Sequence, residues 1–315
     1  MHKPGVRNWH AVASSSSGNR LVALDNSGKI YTSANAGATW VPRASTQEWW
    51  DVASSADGKK LVAVPNAGPI FTSTNAGVTW VKWVEHPDSQ GWREVACSSD
   101  GTKIVTLSDG NGGVKVFNSK NSGKSWGISR PPWYEYVSDV ASSSNGKKLI
   151  VSTYASMYGD SQSRLWGSAD SGTTWTILAT KYVPEAGDWF GNMYYPHQYV
   201  GVASSTDGKM LVAVTWGDFI YTSADSGATW ETRASSQNWR AVASSNDGRR
   251  LVAVVQGGRI CTSTNRGATW VARASVRDWW AVASSADGKK LVATVWAGKI
   301  YTSKNSGVTW VPHAV

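Results

Sequence analysis

Three carboxylates stand at one repeated position of this 315-residue chain: Asp51, Glu94 and Asp139, each immediately before the Val of a recurring V-A-[SC]-S phrase. The other four copies carry Ala11, Gly201, Ala241 and Ala281 there. Neighbouring carboxyl groups, one holding a proton and one ionised, are the usual equipment of general acid/base work and of glycoside hydrolysis. One residue earlier the copies read His10, Trp50, Arg93, Ser138, Val200, Arg240 and Trp280. His and Arg there would act as counter-charges or orienting groups. The bland alternative is a wet channel whose acids bind only water or a cation such as Ca²⁺ or Mg²⁺.

These residues are comparable because the chain is built of repeats. The phrase S-x-[ND]-x-G-x-[TS]-W occurs seven times, ending at Trp40, Trp80, Trp126, Trp175, Trp230, Trp270 and Trp310, with spacings of 40, 46, 49, 55, 40 and 40 residues. Periods of this length mean a stacked or circular repeat architecture. Within one unit, apolar segments of strand length alternate with Gly-containing turns. Residues 49–82 predict strand A at Trp49–Ser54, B at Lys60–Val64, C at Ile70–Ser73 and D at Thr79–Lys82. Four short antiparallel strands per unit, seven times over, predict an all-β fold: a seven-bladed β-propeller forming a single domain, residues 1–315. Its blades fall at 9–42, 49–82, 92–128, 137–177, 199–232, 239–272 and 279–312, and closure is expected from packing of blade 7 on blade 1.

The repeated phrase, as in Ser223-Ala224-Asp225-Ser226-Gly227-Ala228-Thr229-Trp230 and Ser303-Lys304-Asn305-Ser306-Gly307-Val308-Thr309-Trp310, resembles the Asp-box or bacterial neuraminidase repeat. That repeat belongs to sialidase-like propellers, glycan-degrading propellers, sorting receptors and photosystem II assembly factors of the Ycf48 type. The resemblance implies the propeller fold and leaves function open, since the motif is a turn staple: Asp or Asn bonds its own turn, Gly takes a conformation other residues resist, and the Trp packs between blades. The Arg triad and Arg-Ile-Pro signature of sialidases are not evident.

Strand direction sends the A-to-B and C-to-D turns to one face and the B-to-C and D-to-A loops to the other. Relative to a 40-residue unit, the long units carry 30 extra residues, all in loops of the second face on blades 3 to 5. Loop elaboration on a rigid scaffold is where binding and chemistry reside. The expected substrate-binding set is His10, Trp50, Arg93, Tyr134, Tyr158, Asp188, Trp189, His197, Tyr199, Trp216, Arg240, Trp280 and Trp296, around catalytic Asp51, Glu94 and Asp139. The aromatic series Trp9, Trp49, Trp92, Tyr199, Trp239 and Trp279, with Val137 in blade 4, rings the channel mouth and is read mainly as inter-blade packing.

Other chemistries find little support. The five His show no zinc spacing, the two Cys make no disulfide framework, and no phosphate-binding Gly loop or G-x-S-x-G occurs. The net charge of +9 is spread evenly, with eleven basic residues following the A-to-B turns, so it reads as a solvated rim rather than a nucleic-acid surface. No apolar run reaches the ~20 residues that span a bilayer, and Met1–His10 lacks a signal-peptide core, which predicts a cytoplasmic or processed chain. The expected partner is a small-molecule or glycan ligand bound by a monomer, without nucleic acid, membrane or obligate cofactor. Three classes remain open: a single-site acid/base enzyme, a lectin with several equivalent sites, and a scaffold that binds a polypeptide.

Overall fold

In the computed structural model each repeat becomes one four-stranded antiparallel sheet, and the seven sheets are arranged as the blades of a propeller. The structure describes residues 6–83, 91–109, 114–131, 135–154, 162–182 and 197–315. Strand A is innermost and D outermost, in chain order. In blade 2 the strands run Trp49–Ser54, Leu61–Pro65, Phe71–Ser73 and Val81–Lys82, within two residues of the expected starts and ends. The described residues contain no helix.

Strand B is buried on both faces because it lies between two strands of its own sheet and is sandwiched by two neighbouring blades. Leu61, Val62, Ala63 and Val64 are all buried, as are Leu251, Val252, Ala253 and Val254. The core is correspondingly divided into inter-blade clusters. One joins Val22, Leu24 and Ile30 of blade 1 to Trp49, Leu61 and Phe71 of blade 2, with Trp80 packed against it. Trp9, Trp49, Trp239 and Trp279 are fully enclosed, whereas the Trp that ends each repeat phrase is only partly buried.

The repeat phrase staples its turn as its residue types require. In blade 2, Ser73 Oγ donates to Asn75 Oδ1 at 3.0 Å and accepts the Gly77 amide at 2.9 Å, while Asn75 Oδ1 accepts the Thr79 amide at 2.9 Å. Ala76 and Gly77 both take positive φ, 57° and 80°, a strain these side-chain bonds offset.

Ring closure has a backbone component as well as the expected packing. The amides of residues 16, 56, 99, 144, 206, 246 and 286 each donate to the corresponding carbonyl of the next blade at 2.7–2.9 Å, and Ala286 N returns to Ser16 O. This circle of seven bonds ties the A-to-B turns on one face. Blade 7 packs on blade 1 through Val292 and Ile300 against Trp9, Leu21 and Tyr31.

Candidate functional site

At the opposite end of the innermost strands, all seven show a register irregularity against strand B at the same position. It falls between Trp9 and Ala11, between Trp49 and Asp51, between Trp92 and Glu94, and likewise in blades 4 to 6, and in blade 7 it extends from Trp279 to Val282. A bulge leaves one residue unpaired and re-aims it. Simple alternation would turn successive residues to opposite faces. The bulge instead brings two consecutive positions to the axis.

The unpaired residues are His10, Trp50, Arg93, Ser138, Val200, Arg240 and Trp280, and all seven line an upper cavity of about 320 Å³. Tyr154, Gln198, Trp216, Glu94, Val137 and Gln256 complete its wall. Below it a second cavity of about 180 Å³ continues along the channel and is lined by Asp51, Glu94 and Asp139 together with Ala11, Ala241 and Ala281. The three acids therefore meet at one floor, as their shared repeat position implies.

Backbone amides hold two of them. Asp51 Oδ2 accepts the Val95 amide of the next blade at 2.8 Å. Asp139 accepts the Val140 amide at 2.7 Å and, across the blade boundary, the Val202 amide at 2.8 Å. Although each acid is in contact with the channel, protein encloses it, and burial outweighs these bonds. Desolvation raises Asp51 to about 6, against the lowering pull of the Val95 and Val52 amides and of a hydrogen bond from Glu94. Burial likewise raises Asp139 to about 7. Glu94 is held well above the ordinary range, first by burial and then by the charges of Asp51 and Asp139. Crowded carboxylates cannot all ionise cheaply; here Glu94 is the one held toward its protonated form, the form that donates a hydrogen bond to Asp51.

Cations and rings frame the mouth. Arg93 Nε donates to both Asp109 oxygens at 2.8 Å, and its guanidinium lies 4.7 Å from the centre of the Trp50 ring. Arg240 lies 4.1 Å from the centre of the Trp280 ring. Between these pairs His10 Nδ1–H donates to Trp50 O at 2.6 Å. Burial, reinforced by Arg240 and Arg93, lowers His10 to about 4 despite that bond, so the imidazole is neutral at pH 7. Its ring centre is 4.5 Å from Trp50 and 6.0 Å from Trp280, and Trp296 stacks on Trp280 at 4.6 Å.

Other expected residues take different places. Tyr199 is buried between blades 4 and 5 with Ile150 and Leu165 and does not line the cavity. His197 stands 3.5 Å from Asp218, which also pairs with Lys181 and accepts the Tyr221 hydroxyl at 3.1 Å. Tyr134, Tyr158, Asp188 and Trp189 lie outside the described residues. Tyr154, a candidate among the non-repeating aromatics of blade 4, lines the cavity as its place in that blade suggests; sequence reasoning passed over Gln198 as wall and Asp109 as support, since Asp109 follows strand B of blade 3 and its pairing with Arg93 is visible only in the folded blade. It also missed buried Glu135, which pairs with Arg164 and accepts Trp166 Nε1 at 3.2 Å. Among the described residues no three His, Cys, Asp or Glu side chains are placed to hold a metal ion.

Comparison with known proteins bears on the fold. A solved structure described as YCF48 bound to D1 peptide superposes with a TM-score of 0.69 at 15% identity, covering 97% of this chain and 95% of that one. YCF48 from Cyanidioschyzon merolae gives 0.70 at 13% identity, over 96% and 97%. The GH74 xyloglucanase from Xanthomonas campestris gives 0.70 at 16% identity over 99% of this chain, which spans about half of that enzyme, 54%. These proteins share its propeller fold. At such identities the likeness is one of fold alone. No family model and no curated protein matches the sequence.

Proposed function

We propose that the chain is a single-site enzyme of the acid/base type, acting on a glycan or small polar molecule in the axial cavity, and that its repeat is an Asp-box. The observation that carries this reading is the meeting of Asp51, Glu94 and Asp139, carboxyls raised by burial, at the floor of a cavity walled by Trp50, Trp216, Tyr154 and Trp280. Protonated Glu94 is suited to give a proton to a leaving oxygen, and Asp51, fixed by the Val95 amide, to take one from a nucleophile or to face developing positive charge. The charges of Asp51 and, as it ionises, Asp139 both raise Glu94 and favour its protonated form. Ring faces suit sugar planes. A lectin would repeat its site around the ring; the acids occur in blades 2, 3 and 4 only.

The test is turnover of a panel of 4-nitrophenyl glycosides and xyloglucan oligosaccharides by the wild type and by Asp51→Asn, Glu94→Gln and Asp139→Asn. Turnover lost in the first two variants, with the melting transition retained, supports the reading. Undiminished turnover in all three, or saturable binding without turnover in the wild type, overturns it; the latter outcome would leave a binding module, as would capture of a peptide in the same cavity.

A further inference from the structure

On the face opposite the acids, the grooves between blades differ in one respect that the repeat makes visible. Each groove is flanked by the residue following the A-to-B turn of one blade, basic in every blade but the fifth, where it is Met210, and by the positive-φ residue of the C-to-D turn of the next. In blades 2, 3 and 4 the basic residue is a lysine and the turn residue opposite is a serine. Lys60, Lys103 and Lys148 donate to the hydroxyls of Ser122, Ser171 and Ser226 at 3.2, 3.4 and 3.1 Å. The lysine chain lies across the groove, and the first two of these grooves retain only about 10 Å³ each.

Between blades 1 and 2 both residues change. The turn residue is Ala76, which offers no hydroxyl, and the basic residue is Arg20, whose Nη1 donates instead to Asp57 O at 2.8 Å. A cavity of about 320 Å³ opens there. Arg43 enters the same cavity from strand D of blade 1, its Nε donating to Thr32 Oγ1 at 3.3 Å. Trp83 and Ser129 hold the matching position in blades 2 and 3, while Arg233 and Arg273 hold it in blades 5 and 6; the groove between blades 6 and 7 repeats the arginine pair, with Arg250 Nη1 donating to Asp287 O at 3.1 Å, but faces Ser306 in place of an alanine.

Among the described residues neither Arg20 nor Arg43 has a carboxylate within ion-pair distance, whereas Arg7, Arg93, Arg164 and Arg233 each do. Asp57, whose carboxyl the Arg20 charge helps to lower, has Oδ1 committed to the Ser55 hydroxyl and the Lys59 amide. Two guanidinium groups thus line one cavity with donors to spare, beside the hydroxyl of Thr39 and the apolar side chains of Val41 and Val78.

We propose that this groove binds a tetrahedral oxyanion, a phosphate or sulfate monoester whose anionic end is held by Arg20 and Arg43 and whose organic remainder lies against Val41 and Val78. Arginine's planar fork suits bidentate recognition of such oxygens. The site is distinct from the acid-lined cavity and stands whether or not that cavity is catalytic.

The sequence itself supplies the variant that should close the groove: Arg20→Lys combined with Ala76→Ser, which installs the lysine–serine pair that blades 2 to 4 already tolerate. Calorimetric titration with inorganic phosphate and with glycerol 1-phosphate is expected to show saturable binding to the wild type. Binding should weaken about tenfold or more in the double variant and in Arg43→Ala, and remain unchanged in Arg93→Gln on the other face. Tighter binding of the monoester than of phosphate supports an organic ligand; equal binding supports the free anion in the same groove. Absence of saturable binding to the wild type, equal affinity in the double variant, or a loss that follows Arg93 in place of Arg43 overturns the proposal.

Discussion

Asp139, in blade 4, accepts the amide of Val202, in blade 5, at 2.8 Å. Asp51 makes the matching bond from blade 2 to Val95 of blade 3. Each of these acids is thereby a strand-to-strand link as well as a wall of the channel, and a bond that fixes a carboxylate also presents its remaining lone pairs in one direction.

The pH dependence of stability follows from the floor. Burial raises Asp51 to about 6 and Asp139 to about 7 from 3.8. Between roughly pH 4 and 7 the folded state therefore holds protons that the unfolded chain has released, and stability falls as pH rises through that window. The melting midpoint should drop by several degrees between about pH 5 and 8. Asp139→Asn, which removes the side chain raised to about 7, should flatten the curve. Asp57, Asp100 and Asp225, all lowered by hydrogen bonds of their own turns, act in the opposite direction only below about pH 4.

His10 should not behave as a titrating switch. With its imidazole lowered to about 4 by burial and by two arginines, its ring proton shifts should stay flat between about pH 5.5 and 8 by NMR. A midpoint near the ordinary histidine value would mean that the mouth is wetter and less cationic than described.

The turn staple has a measurable worth. Ser73→Ala removes the acceptor of the Gly77 amide and the donor to Asn75, leaves that buried amide unsatisfied, and is expected to cost about 1–3 kcal/mol in urea unfolding. The same change at Ser303, in the last blade, should cost a similar amount, because Gly307 N and Asn305 repeat the bonds at 2.9 and 3.0 Å.

Two tryptophans of one unit should differ sharply. Trp49 is fully enclosed between blades 1 and 2, edge-on to Phe71 at 4.9 Å, and Trp49→Ala is expected to cost about 3–5 kcal/mol. Trp80 is only partly buried and keeps its Nε1 bonded to Gly77 O at 3.0 Å; its truncation should cost less in the same unfolding assay.

Much of this was legible in the residues, for physical reasons. The consecutive apolar residues Leu61 to Val64 required a strand covered on both faces, and Ser73, Asn75 and Gly77 required a stapled turn. The comparison of repeats placed Asp51, Glu94 and Asp139 at one depth of one channel, and the burial of Trp9, Trp49 and Trp279 agrees with their reading as packing residues. The bulge was not legible, because nothing local distinguishes Trp50 or Arg93 from a residue that alternates outward; only the register against strand B shows it. Asp109 with Arg93, Glu135 with Arg164, and Lys60 with Ser122 join residues 16, 29 and 62 positions apart, pairings that depend on the folded ring. Tyr199 shared a repeat position with the packing tryptophans and followed them into the core, so its polar hydroxyl was a poor guide to a site role.

The most direct check on the acid/base account is a ¹³C NMR titration of the side-chain carboxyl carbons of Asp51, Glu94 and Asp139. The account predicts that Asp51 and Asp139 titrate near 6 and 7, that Glu94 titrates well above the ordinary carboxylate range, and that Asp139→Asn, which removes one of the charges raising Glu94, moves the Glu94 titration downward. Independent titration of all three carboxyls near pH 4, with Glu94 indifferent to Asp139→Asn, would contradict it.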